Sequence, residues 1–241
     1  MHIENCREVE LTTECIFVII LYINIKKAGD QMASSIVHLA ITNELIKTHD
    51  FKCTGRLKLG VVLPDAGEKN LGHLKIKIPE TNGSTYDFER FRCKFPELLK
   101  TDDLYLGYYL HLVQDICYRH FVYDRYHWNP TIPGNVDRLH RDYAITNHYV
   151  AVKYNLKNDI VIPDDFDREP INEICRFDIK WLTESLETYF HQTDDGDIYF
   201  FTKEMTDEYI AEAIALCNKE LHALNTGTGM IDGYENAWHH L

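Results

Sequence analysis

Apolar residues recur at helical spacing through most of the chain. Ser34 or Ser35 can cap a helix in which Ile36, Leu39, Ala40, Leu45 and Ile46 fall three to four residues apart, ending near His49. The short apolar stretch RLKLGVVLPD, residues 56–65, is closed by Pro64, and its length suits either a strand or a helical turn. Residues 67–84 are rich in Gly, Asn and Lys and read as a loop with His73 inside it. Residues 86–100 predict a helix with Phe88, Phe91, Phe95 and Leu98 on one side. Asp102 and Asp103 then cap a helix over residues 104–126, whose run LYLGYYLHLVQDICYRHFVY is apolar nearly all round. A helix of that kind is a buried one.

Beyond the turn at Pro130 and Pro133, residues 135–154 carry a stripe of Val136, Leu139, Tyr143, Thr146 and Val150. A loop over 163–170 precedes a helix over 171–191, the turn 194–197 leads to a short strand or sheet edge IYFF, and 206–225 makes a last helix. The tail from Gly227 ends in Trp238, His239 and His240 and reads as solvated. Helices dominate, strand signals are few and no internal repeat is present, so the pattern predicts an all-α fold, a single multi-helix domain over residues 32–241.

Residues 1–31 read differently. The apolar run CIFVIILYINI, residues 15–25, is too short to span a bilayer as a helix. Glu8, Glu10 and Glu14 precede it and its lysines follow, the reverse of an export signal. Met32 opens MASSIVHLA like a natural start, so 1–31 is expected to be an upstream extension or an added strand or helix.

Charge and cysteine usage narrow the partners. The 241 residues carry a net charge of −13, which disfavours a nucleic-acid backbone or an anionic membrane surface as the main partner, and no stable membrane anchor is expected. An acidic body can still hold a locally positive site built on bound cations. The seven cysteines are odd in number and dispersed, with no CxxC pair, which points to a reducing, cytoplasmic setting.

The chemistry concentrates in the buried helix. His111 and Asp115 are four residues apart and project from one helical face, with Gln114 beside them and apolar residues around. A carboxylate there is costly unless something positive compensates it. A cation held by both side chains would do so, and a hydrogen-bonded His–Asp core pair is the alternative. Asp142 occupies an expected apolar position of the later stripe, as a ligand or as a surface residue out of register. His140, two positions away, faces elsewhere. His38 lies between Val37 and Leu39 in the first helix, Asp65 ends an apolar run at a Pro corner, and His73 sits in the loop.

In the order SIVHLA, LGVVLPDA, GHLK, YLGYYLHLVQD and a helix containing HRDY, the chain resembles the zinc-dependent phospholipase C family and its cytosolic bacterial relatives, whose fold the single-strand-specific zinc nucleases share. The resemblance covers residues 34–149. It implies a helical domain with zinc in a cleft and attack of a metal-bound water on a phosphate ester. It also implies the ligands His38, Asp65, His73, His111 and Asp115, to which the reading of the later helix adds Asp142. Asp65 is implied as the bridging ligand or base near that water. His120 stands one position nearer Asp115 than the family's further histidine.

The secreted enzymes use a free N-terminal amine and a later HxxxE. This chain offers an internal residue and His140, Asp142 and His148 instead, which favours one or two zinc ions over three. The implied substrate is a small phosphate ester or a lipid head group. Two rival readings remain open: an HD-type phosphohydrolase using His49 and Asp50, and a non-catalytic helical module with a structural metal or buried His–Asp pairs.

Overall fold

The computed structural model describes residues 34–238 apart from 69, 82, 194, 195, 228 and 229. The expectations for residues 1–31, His239 and His240 fall outside the described residues. The chain is mostly helical, as an all-α class requires, with one two-stranded sheet among the described residues.

Ser34 accepts a hydrogen bond from the Ile36 amide and starts α1 (Ser35–Ile46). The undecided segment 56–65 is helical: α2 (Thr54–Val62) runs into a 3-10 turn (Leu63–Ala66) that carries Asp65. The loop expected over 67–84 contains a hairpin, β1 (Lys75–Lys77) antiparallel to β2 (Ser84–Tyr86), with Lys75 opposite Tyr86. The helix expected over 86–100 is two, α3 (Phe88–Lys94) and α4 (Leu98–Thr101). Pro96 explains the break, because the residue before a proline is driven out of the helical region, and Phe95 stands at φ −126°.

Asp102 caps α5 (Asp103–Arg119), which continues as a π-helical turn (His120–Arg125). Next come α6 (Asn135–Lys153), two 3-10 turns (Phe166–Arg168, Pro170–Glu173), α7 (Ile179–His191) and α8 (Lys203–Thr226). The helix expected from 171 begins only at Ile179, where the Asp178 side chain accepts from the Trp181 amide. IYFF is no strand but a bend leading into α8. No helix among the described residues is long and apolar enough to cross a membrane.

Among the described residues α5 is the central helix, and its Tyr105, Tyr108, Tyr109, Leu112 and Val113 are wholly buried. α2 and α8 pack along it, and α1 packs against α2 and α8. Glycine sets the α2–α5 distance. A Cβ on Gly60 would stand 2.1 Å from the Leu104 carbonyl oxygen, and one on Gly107 2.2 Å from that of Leu57. The two backbones therefore touch, and no side chain separates α2 from the N-terminal part of α5 at this crossing.

The tail is not solvated up to its described end. Ile231 donates its amide to the buried Glu220 carboxylate, and Thr85 donates to the Gly233 carbonyl at 2.6 Å. Trp238 is buried, its ring 5.3 Å from that of Tyr86.

Candidate metal centre

Four elements bring five of the six expected ligands together. α1 contributes His38, the 3-10 turn Asp65, the loop before β1 His73, and α5 both His111 and Asp115. The ligand atoms of His38, Asp65 and His111 lie within 4.8 Å of one another, as do those of His73, His111 and Asp115. His111 is common to both groups.

Two of the three rings, those of His111 and His38, are aimed by a second contact. The Val61 carbonyl at the end of α2 lies 2.8 Å from His111 Nδ1, a contact the Gly60–Gly107 crossing makes reachable. Gln114 Oε1 lies 2.7 Å from His38 Nδ1. With the proton on Nδ1, each ring presents the bare Nε2 lone pair to the centre, the arrangement that orients metal-bound imidazoles. Ser35 donates its hydroxyl to Asp65 Oδ2 at 2.9 Å, leaving Oδ1 for the centre. His73 is positioned through its neighbour: Tyr108 donates its hydroxyl to the Gly72 carbonyl, and a Cβ on Gly72 would lie 2.7 Å from the Pro64 carbonyl oxygen.

The spacings at the centre are not those of hydrogen bonds. Nε2 of His38, His73 and His111 lies 3.5, 3.5 and 3.4 Å from the Asp115 oxygens. Asp65 Oδ1 lies 3.5 Å from His73 Nε2 and 4.0 Å from His111 Nε2. Good N–H···O bonds fall at about 2.7–3.2 Å. Ligands about 2.05 Å from a tetrahedral zinc are roughly 3.3 Å from one another, the edge of the tetrahedron. The three Nε2 atoms and both Asp115 oxygens are buried without a hydrogen-bond partner. Buried polar atoms left open in this way carry a desolvation cost that a cation would offset. The donor set of imidazole nitrogens and carboxylate oxygens fits a zinc-like divalent ion.

Electrostatics supports the same picture. Burial pushes the Asp115 carboxyl up, but His111, His38 and His73 pull it well below the usual carboxylate range. Asp65 is likewise held low against its burial, by His73, His111 and His38. Burial pushes His73 down despite Asp65 and Asp115, which favours a neutral, ligating ring. In His111 burial is outweighed by Asp115 and then Asp65, and its pKa is pushed up to about 8.

Asp142 does not join this cluster, which corrects the expectation that it is a ligand. Its carboxylate accepts three backbone amides, from Tyr199 at 2.8 Å, Phe200 at 2.7 Å and Phe201 at 2.9 Å. The buried carboxylate holds the IYFF bend against α6, and those N–H groups supply the compensation that a metal was expected to give.

His120 pairs with Asp124 at 2.5 Å and the Asn236 carbonyl at 2.8 Å, His140 packs near Tyr143, and His148 is exposed. His49 sits 2.6 Å from Asn218 and Asp50 is exposed, so neither residue of the HD pair reaches the centre. Ser35 and the Val61 carbonyl are supporting groups that sequence reasoning missed. Gln114, a second polar residue in an apolar helix, carried a signal. No family model matches the chain, and no match was found among curated proteins or solved structures.

Proposed function

We propose that the chain is a metal-dependent phosphoric ester hydrolase of the zinc phospholipase C and single-strand nuclease type, working on a small phosphate ester or lipid head group in the cytoplasm. One observation carries the reading: three Nε2 atoms and the oxygens of Asp65 and Asp115 face one another at ligand spacing, buried, with the Nε2 atoms and the Asp115 oxygens left without hydrogen-bond partners. The segment order SIVHLA, LGVVLPDA, GHLK and YLGYYLHLVQD supports the family assignment, and the described cysteines, all free, support a reducing setting. A zinc-like ion bound there supplies Lewis acidity toward a phosphoryl oxygen and acidifies its water.

The chain's own residues divide the remaining work. His38 and His111 present fixed lone pairs, Asp115 supplies the fixed negative charge, and His73 closes the solvent side. Asp65, one oxygen anchored by Ser35, would help hold the ion or accept a proton. One or two ions match the two overlapping ligand groups better than three.

The test is Asp115→Asn, which keeps shape but removes the charge. Metal content by mass spectrometry should fall and turnover of a chromogenic phosphodiester should vanish, while helical circular dichroism persists. Wild-type protein that binds no metal after supplementation would sink the proposal. A purely structural metal site is a second reading, favoured by the low exposure of the centre: side chains are 0% exposed for His38, His111 and Asp115, 1% for Asp65 and 9% for His73. Full metal content without turnover on any phosphate ester would decide for it.

A further inference from the structure

Arg119 follows Asp115 by four residues and His111 by eight, which places all three on one face of α5. Its guanidinium carbon lies near two rings, 5.3 Å from the centre of Tyr123 and 5.2 Å from that of Trp238. Nε donates to the Tyr86 hydroxyl at 3.3 Å, and a terminal nitrogen donates to the Tyr123 hydroxyl at 2.9 Å. A guanidinium is a fork of several N–H donors, and the rest have no acceptor among the described residues. Arg56 and Arg92, also partly buried, each pair with a carboxylate; Arg119 has none within ion-pair distance among the described residues.

Leaving a desolvated cation without a counter-ion is costly unless an anion arrives to occupy it. Burial would push this guanidinium down, and Tyr86, Tyr123 and Asp115 hold it up. Tyr86 in turn feels the charges of Asp115 and Asp65, so the Arg119–Tyr86 pair stands within electrostatic reach of the metal centre. In a chain of net charge −13, a cation at that place is the group able to draw an anion toward a cluster containing two carboxylates.

We propose that Arg119, steadied by Tyr86, Tyr123 and Trp238, is an oxyanion-binding residue beside the metal centre that receives a phosphoryl oxygen of the substrate. Its substrate class rests on the hydrolase reading above. A planar guanidinium held by two hydroxyls and two ring contacts keeps its fork fixed, and that fork matches the geometry of phosphate, which a lysine's point charge does not.

The probe is inorganic phosphate, titrated calorimetrically into metal-loaded full-length protein. Arg119→Gln should weaken phosphate binding by about tenfold or more, the scale of a lost charge-assisted hydrogen bond. Arg119→Lys should restore it only in part, and metal content should stay at the wild-type level in both. Against a phosphodiester substrate, the Gln variant should raise KM by a larger factor than it lowers kcat. Phosphate affinity within about twofold of wild type at equal metal content overturns the proposal and leaves the hydrolase reading standing. Wild-type protein without metal overturns the hydrolase reading instead.

A measurement on the unmodified protein guards against variants that fail to fold. Phosphate should protect Arg119 from phenylglyoxal, mapped by mass spectrometry. Labelling that is the same with and without phosphate, or absent in both, overturns the proposal.

Discussion

Replacing Gly107 by alanine would test whether backbone contact between α2 and α5 builds the metal centre. The added Cβ would stand 2.2 Å from the Leu57 carbonyl oxygen and 3.0 Å from the Val61 nitrogen, both backbone atoms that no rotamer change can move. Ordinary contact begins at 3.4 Å, so the helices must part locally by roughly 1.2 Å (3.4 − 2.2). Overpacking of this kind costs about 1–3 kcal/mol. The same shift would stretch the 2.8 Å His111–Val61 contact past hydrogen-bonding range, for about 1 kcal/mol more. Alanine's helix preference returns about 1 kcal/mol.

The net loss is about 1–3 kcal/mol, which for a domain of this size lowers Tm by roughly 2–12 °C. Because His111 also loses the carbonyl that aims its ring, metal affinity should drop about 10- to 100-fold. Thermal circular dichroism and metal titration read the two effects, with Gly55→Ala as control, since nothing lies within 4 Å of a Cβ there. A Gly107→Ala protein as stable as wild type, binding metal equally well, would refute the account of how α2 and α5 set the site.

Two further outcomes are expected. Asp142→Ala should cost about 2–4 kcal/mol by leaving three backbone amides without their carboxylate, yet metal content should not change; loss of metal in the folded variant would return Asp142 to the ligand set. In metal-free protein, the folded pKa of His111 is raised to about 8, so its contribution to stability is full below its ordinary 6.5 and lost as pH rises through about 8. An ion needs the neutral ring, so metal affinity should climb as pH rises toward about 8 and then level off. Calorimetric affinities that are flat or falling from about pH 6 to 8 would contradict this.

Much of this centre was legible because polar residues stand out in apolar surroundings. His111 and Asp115 interrupt a helix that is otherwise apolar or aromatic, and the Pro corner marks Asp65. Asp142 shows the limit of that reasoning. A carboxylate in an apolar stripe announces that it needs a buried partner, but not which one, and here the partners are amides at 199–201. The segment RLKLGVVLPD became a helix through tertiary contact: Gly60 lets it lie against the backbone of α5, which no local pattern encodes. The hairpin escaped because strands of three residues, KIK and STY, are too short to establish alternation. The tail looked solvated because its anchors, Glu220 and Tyr86, are far away in sequence.

His73 differs from the other converging side chains in two ways: it is the least deeply buried of them, and it alone is carried by a loop. An ion gripped by the whole set would therefore leave most readily through the displacement of His73. How often that happens is governed by the Tyr108 hydroxyl on the Gly72 carbonyl and by the seating of Gly72 against Pro64. The residence time of an ion there would then follow loop opening more than ligand strength. An ion held there would be given up to a chelator more slowly than its equilibrium affinity alone would suggest.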